Sequence, residues 1–485
     1  MRRAAVLLAL SLTALASGAR AASFDPTPWR EDYADLKAEL QKSYANLAWF
    51  ASPQGGVDLP ALDRQTRRQL DGAENDAQAA QAIRSFVAGL GDGHFSELPR
   101  LAPAPAGPAP AARDLKGLDA PTACAAMGYA HRTTVAFSAP FEALPGFTLV
   151  ADGAPKPFRA GVLPLADGRK LGVVRIPRFR QQEYPELCEA AWSPDRPPSR
   201  SDLSDATQAL ALKALAERLK ALAAAGADTV LVDVGGDGGG NDLGDWMVRL
   251  FTDRPVRSAP LLMADAPVAV GYYDEELEAL RAARKNDGLT PAATAALDKA
   301  IGQFEAAKAR AGAGGCDLSW AWTERRPWRQ GCDRLIPSGF ASGALPDLKP
   351  GSLGPRTVEA ALYWPTVVAA ERGAWIGKVY VLTDNRTASS AEMFTASIRN
   401  NHIGRVLGQR TSGDGCGFMT DGPPLKLPHS GLRFRVPNCV RLREDGSDEV
   451  AGVTPDLPIL PAEGESETAR AGRVVAAITA DRATP

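Results

Sequence analysis

Histidine is scarce in this chain, with four residues in 485, at positions 94, 131, 402 and 429. No Cys-x-x-Cys pair occurs either, so a zinc site is not expected, and no other cofactor is implied. No block of basic residues stands out, which argues against nucleic acid as a partner. Only one long uncharged stretch exists, Ala4 to Ala19. It is shorter than the roughly 20 residues a membrane span requires. Arg2 and Arg3 precede it, and Ala19-Arg20-Ala21 fits a small-x-small cleavage site, so residues 1–21 read as a secretory signal peptide. A periplasmic or secreted protein without a membrane span is expected. The Gly-rich segment after residue 234 is not followed by Gly-Lys-Ser/Thr, so it is not a phosphate-binding Walker loop. The Gly-x-Ser-x-Gly elbow of α/β-hydrolases is also missing.

The formal charge of −2 becomes −5 once Arg2, Arg3 and Arg20 are set aside. A chain of this length suggests two to four domains. The cysteines number six, an even count that suits disulfides in an exported protein. Pairing of sequence neighbours would give Cys124–Cys188, Cys316–Cys332 and Cys416–Cys439.

One stretch organises the rest, Trp375 to Met419. Its apolar, β-branched run Ile376 to Leu382 reads as a buried strand. A polar turn follows, Thr383 to Thr387, and then the small residues Ala388, Ser389, Ser390 and Ala391 open an amphipathic helix with Met393, Phe394 and Ile398 on one face. A second short strand, Val406 to Gln409, leads into a Gly-rich loop. A serine between strand and helix suits chemistry, because its hydroxyl stands clear of the sheet and the helix start offers free N–H groups to an oxyanion. It equally suits a helix cap.

Other segments read as follows. Residues 22–100 are helical, with Tyr33, Leu36, Leu40 and Tyr44 at helical spacing, and the second helix there runs into Gly91-Asp92-Gly93-His94. Residues 101–112 form a Pro/Ala linker. Residues 113–169 read as a small β-rich region without the carboxylate-binding loop of a PDZ domain. From residue 170 to 465 the pattern is α/β, with an insertion at 273–365 that opens as a helical hairpin, and 466–485 form a terminal helix and tail. The strand Thr229 to Val234 ends in GGDGGGND, whose glycines let backbone N–H groups approach a ligand.

These motifs together resemble the tail-specific (C-terminal-processing) and tricorn-type serine protease superfamily. The TASSAE run, the following helix and strand, VLGQRTSGDG and EVAGVTPD are the residues that carry the likeness. The resemblance implies an α/β fold with a crotonase-like (ClpP-type) core, an N-terminal helical bundle, and action on peptide or protein substrates. Aligned on Glu392, the nucleophile falls on Ser389, with Ser390 its neighbour. A glycine of the loop after Val234 would supply an oxyanion N–H; by position this is Gly239, beside Gly238 and Gly240, with Ser390 N–H as a second donor. The family's arginine and asparagine in that loop are replaced by Gly235 and Asp237.

One departure bears on mechanism. Tail-specific enzymes carry a lysine base between two glycines, where this chain reads Gly413-Asp414-Gly415. An aspartate cannot act as a neutral amine, so the resemblance narrows to the histidine-using branch. It implies Ser389 as nucleophile, His94 as base and Glu449 as orienting acid, with Asp448 as a rival for that role. The other outcome is a scaffold that lost its dyad and only binds peptides or small ligands.

Overall fold

A computed structural model describes residues 24–100, 115–329 and 333–483. The expected signal peptide, the Pro/Ala linker and Cys332 lie outside those residues. The centre is a seven-stranded mixed sheet. Its strands are β1 (Thr148–Ala151), β2 (Ala160–Pro164), β3 (Lys170–Arg175), β4 (Thr229–Asp233), β5 (Lys378–Thr383), β6 (Gly404–Gly408) and β7 (Leu457–Pro458). They lie in the order β7-β6-β5-β4-β3-β2-β1. Strands β3 to β7 run parallel, while β1, β2 and β3 form an antiparallel ribbon. The stretch 113–169 is therefore not a separate unit, because two of its segments extend the central sheet.

The sequence explains why β4 and β5 sit in the middle. TVLVD is buried along its whole length, and KVYVLT is buried after its first residue. Strands covered on both faces need such continuous apolar runs. Strand β5 begins at Lys378, after Ile376, which is 75% exposed and precedes the sheet. One face of the sheet packs against Leu212, Leu215, Leu219 and Leu222 of the helix Arg200–Ala224. The other face packs against Ala471, Val474 and Ile478 of the helix Glu467–Ala483. Each such buried leucine contributes roughly 1.5–3 kcal/mol.

The N-terminal helices Thr27–Ser43, Leu59–Asp71 and Asp76–Ala88 bury Leu36, Leu40, Ile83 and Phe86. Leu427, Leu432 and Phe434, from far along the chain, complete the same core. Ser96–Glu97 also pairs antiparallel with Arg433–Arg435. These contacts fix the loop that carries His94 against the C-terminal half. A helical hairpin, Ala269–Arg284 and Pro291–Arg310, flanks a second small sheet of Cys439–Arg441, Pro260–Ala264 and Leu335–Phe340. Among the described residues no helix is long and apolar enough to cross a membrane.

Candidate active site

The site lies beyond the C-terminal ends of β4 and β5, where open parallel sheets place ligands. The two loops there are tied to one another. Ala388 N–H donates to the Asp237 carbonyl at 2.9 Å. Gly236 N–H donates to Asp384 Oδ1 at 2.9 Å, and the Thr387 hydroxyl donates to the Val234 carbonyl at 3.1 Å.

Ser389 stands just before the helix Ser390–Asn400 with φ 53° and ψ −120°. A non-glycine residue at positive φ is uncommon, and such backbone outliers cluster at functional sites. A sharp strand-to-helix turn of this kind is also the geometry of a nucleophile elbow. Ser389 is half-buried, whereas Ser390 is buried, its main chain packed against Gly244. Of the two serines, Ser389 is the more accessible.

Gly239 lies against this turn. Its φ is +94°, and a Cβ there would come within 2.6 Å of Ser389 Cβ and 2.8 Å of both the Ala388 carbonyl oxygen and Ser390 N. Only glycine fits such an approach. Its N–H, however, donates to Asp237 Oδ1 at 2.7 Å. The expectation that Gly239 N–H faces an oxyanion is thus corrected: in this conformation a buried carboxylate occupies it. Gly238 instead sits beneath the Arg178 guanidinium, which a side chain there would displace. Burial pushes the Asp237 carboxyl up to about 7. Arg178 Nη1 lies 3.7 Å from Asp237 Oδ1, and Oδ2 has no hydrogen-bond partner among the described residues.

His94 reaches the same region from the N-terminal helices. Its N–H donates to Asp92 Oδ1 at 3.0 Å, and its ring Nδ1 meets the backbone carbonyl oxygen of Asp414. The ring also meets Phe418 edge-on, with centroids 5.9 Å apart, and packs against Gly417. A carbonyl oxygen only accepts, so Nδ1 carries the hydrogen, and in the neutral ring Nε2 is then the acceptor. His131 and His429 pair with Glu186 and Glu31 on the surface, away from Ser389.

The expected Glu449–His94 hydrogen bond is not among the contacts of the described residues. Glu449 is buried and accepts from Arg441 Nε at 2.8 Å. That ion pair uses the carboxylate, and the acceptor on the imidazole is the Asp414 main chain instead. Asp448, the rival, accepts from Val450 N–H at 3.0 Å. Burial, with Glu449 and Asp92 nearby, raises its carboxyl well above the usual range.

Glu392, the residue on which the serine is aligned, proves to be a buried hub of hydrogen bonds. It is 1% exposed. Its Oε2 accepts from Ser389 N–H at 3.0 Å and Asp414 N–H at 2.9 Å. Its Oε1 accepts from the Thr411 hydroxyl at 2.5 Å and Gly413 N–H at 2.7 Å. The Ser389-x-x-Glu392 spacing of a capping box was the available signal.

Two disulfides frame these elements. Cys416–Cys439 has its Cα atoms 5.6 Å apart and pins the segment that carries Phe418, while Cys124–Cys188, at 5.9 Å, packs beside Leu203 of the helix Arg200–Ala224.

Residues 344–459 match the family model described as Peptidase family S41. That segment, about a quarter of the chain, is where the sequence is similar to S41 peptidases. The chain is a serine-type peptidase by class, and the matched segment holds Ser389, Glu392, Asp414 and Glu449. His94 and the 234–240 loop lie outside it. Among solved structures, a point mutant of CPAF is similar at a TM-score of 0.55 and 13% identity, over 93% of this chain and 97% of that one. Mature CPAF complexed with lactacystin is similar at 0.52 and 16% identity, over 93% and 98%. At such identities the likeness concerns the fold alone. No curated protein matches its sequence.

Proposed function

We propose that this chain is an exported endopeptidase or carboxy-terminal-processing peptidase that hydrolyses peptide bonds through an acyl-enzyme on Ser389, with His94 as the general base. The observation that carries the reading is the tautomer of His94. Its Nδ1–H is held by the Asp414 carbonyl. That leaves Nε2 free to take a proton from a serine and return it to the leaving amine. The backbone oxygen takes over the orienting role that an acid plays in a Ser-His-Asp/Glu triad. Glu449, paired with Arg441, supports the wall behind the site. The Ser390 N–H, first in its helix, is the oxyanion donor favoured by the helix start. The two disulfides fit an oxidising compartment outside the cytosol.

A second reading, a peptide-binding protein without catalysis, is favoured by one observation: the Gly239 N–H is engaged by Asp237. A fluorophosphonate probe separates the two. Covalent labelling that maps to Ser389 is expected. A folded protein that binds peptides yet takes up no probe is the binding scaffold.

A further inference from the structure

Glu392 satisfies more than a helix cap requires. A capping-box glutamate has one task, the N–H of the residue before the helix. Here that is Ser389 N–H at 3.0 Å. Three further donors come from a loop 19 to 22 residues downstream: the Thr411 hydroxyl and the N–H groups of Gly413 and Asp414. Three of the four donors are main-chain groups, which cannot shift without moving the chain. The carboxylate has about four lone-pair sites, and all four are used. Burying it is costly, and burial raises its carboxyl above the usual range. No cation pairs with it directly among the described residues; the nearest charge acting on it is Arg443. Such a cost, next to a strained serine, is characteristic of functional sites.

The loop that Glu392 grips is the one that orients the base. Asp414 gives its N–H to Glu392 and its carbonyl to His94. A single oxygen, Oε2, therefore holds the main chain of the serine and the main chain of the residue that aims the imidazole. We propose that Glu392 is the positioning residue that fixes nucleophile and base in register, so that this peptidase assembles its pair through a shared buried carboxylate. The inference rests on the Ser389–His94 reading above. It assigns Glu392 no contact with substrate.

The substitution Glu392→Gln keeps the shape but replaces one accepting oxygen with an NH2 group. That group meets two N–H or O–H donors head on, so either Ser389 or the 411–414 loop is released. Misplacement of reacting groups by about 1 Å costs on the order of 100-fold in rate. The experiment measures fluorophosphonate labelling of Ser389, with the maximal rate and the half-saturating probe concentration separated, on wild type, Ser389→Ala, Glu392→Gln and Thr411→Val. The fraction folded is read from thermal melts. A positioning role predicts that Glu392→Gln lowers the maximal rate about 100-fold per folded molecule, with half-saturation little changed. Thr411→Val removes one donor that touches neither Ser389 nor Asp414, and a smaller drop of roughly 3- to 10-fold is expected. A purely structural Glu392 would lower both melting temperatures and leave the rate per folded molecule unchanged, which overturns the proposal. If Glu392→Gln does not fold, an unchanged rate in Thr411→Val overturns it and a reduced rate supports it. Wild type that never labels at Ser389 sinks the underlying reading itself, a result distinct from labelling that is indifferent to Glu392.

Discussion

The carbonyl of Asp414 faces Nδ1 of His94, although the two residues are 320 positions apart in the chain. The side chain of Asp414 points elsewhere, accepting from the Ser412 hydroxyl at 2.6 Å and packing on Gly93. Residue 414 therefore acts on the histidine through its main chain. Asp414→Asn should leave turnover within about threefold, since the carbonyl is untouched. Asp414→Pro removes the N–H that binds Glu392 and should lower turnover at least 100-fold. Steady-state kinetics on a peptide substrate for both variants check this.

Substitution of the serines separates nucleophile from neighbour. Ser389→Ala is expected to abolish probe labelling. Ser390→Ala should keep it within about tenfold, because the role proposed for Ser390 uses its N–H, which alanine keeps. Intact-mass measurement after labelling reads both.

His94→Ala should lower turnover by about two to four orders of magnitude, the usual worth of a general base. Glu449→Gln should instead act on stability. Removing one charge from the buried Arg441–Glu449 pair leaves the other uncompensated and costs about 3–5 kcal/mol, less where the amide keeps a hydrogen bond. The expected outcome is a lowered denaturation midpoint with the Michaelis constant preserved. A Glu449→Gln protein of normal stability and thousandfold lower turnover would restore Glu449 as the acid that orients the base.

The carboxyl of Asp237 sits at about 7 in the fold, against 3.8 for the free group. A folded-state value above the unfolded one means the native state holds the proton more tightly. Stability should therefore fall as pH rises from about 4 to about 7 and level off above that. Asp237→Asn removes this slope and keeps an acceptor for Gly239 N–H. The variant should be more stable than wild type at pH 8, on the order of 2 kcal/mol, and show little gain at pH 4. Chemical denaturation at the two pH values provides the comparison.

Reduction of Cys416–Cys439 should lower activity before the fold is lost. This bridge closes a 23-residue separation, worth about 3 kcal/mol, and holds the segment whose Phe418 packs on His94. Loss of Cys124–Cys188, by Cys124→Ala and Cys188→Ala together, should cost stability alone.

Much of this was legible from residue pattern. Continuous apolar runs in TVLVD and KVYVLT marked the central strands, because burial on both faces leaves no polar alternation to confuse them. The small residues before Met393 mark the turn, whereas Gly239 is singled out only by its position in the resembled family's motif. The partners of charged groups were not legible. Glu449 and Asp414 are both acidic residues near glycines, and nothing in their spacing tells that Arg441 claims the first or that the second acts through its carbonyl. Those outcomes depend on long-range packing, as does the addition of Thr148–Ala151 and Ala160–Pro164 to the main sheet. The grip of Asp237 on Gly239 is likewise a matter of loop conformation, which sequence type alone does not fix.

The pairing of Ser96–Glu97 with Arg433–Arg435 has a further consequence during synthesis. The loop bearing His94 leaves the ribosome hundreds of residues before the strand that anchors it exists. Until residues 433–435 emerge and zip onto 96–97, that edge of the loop lacks its strand partner. Under the proposed role of His94, any activity would then wait for the completed molecule, by the order in which its parts are made.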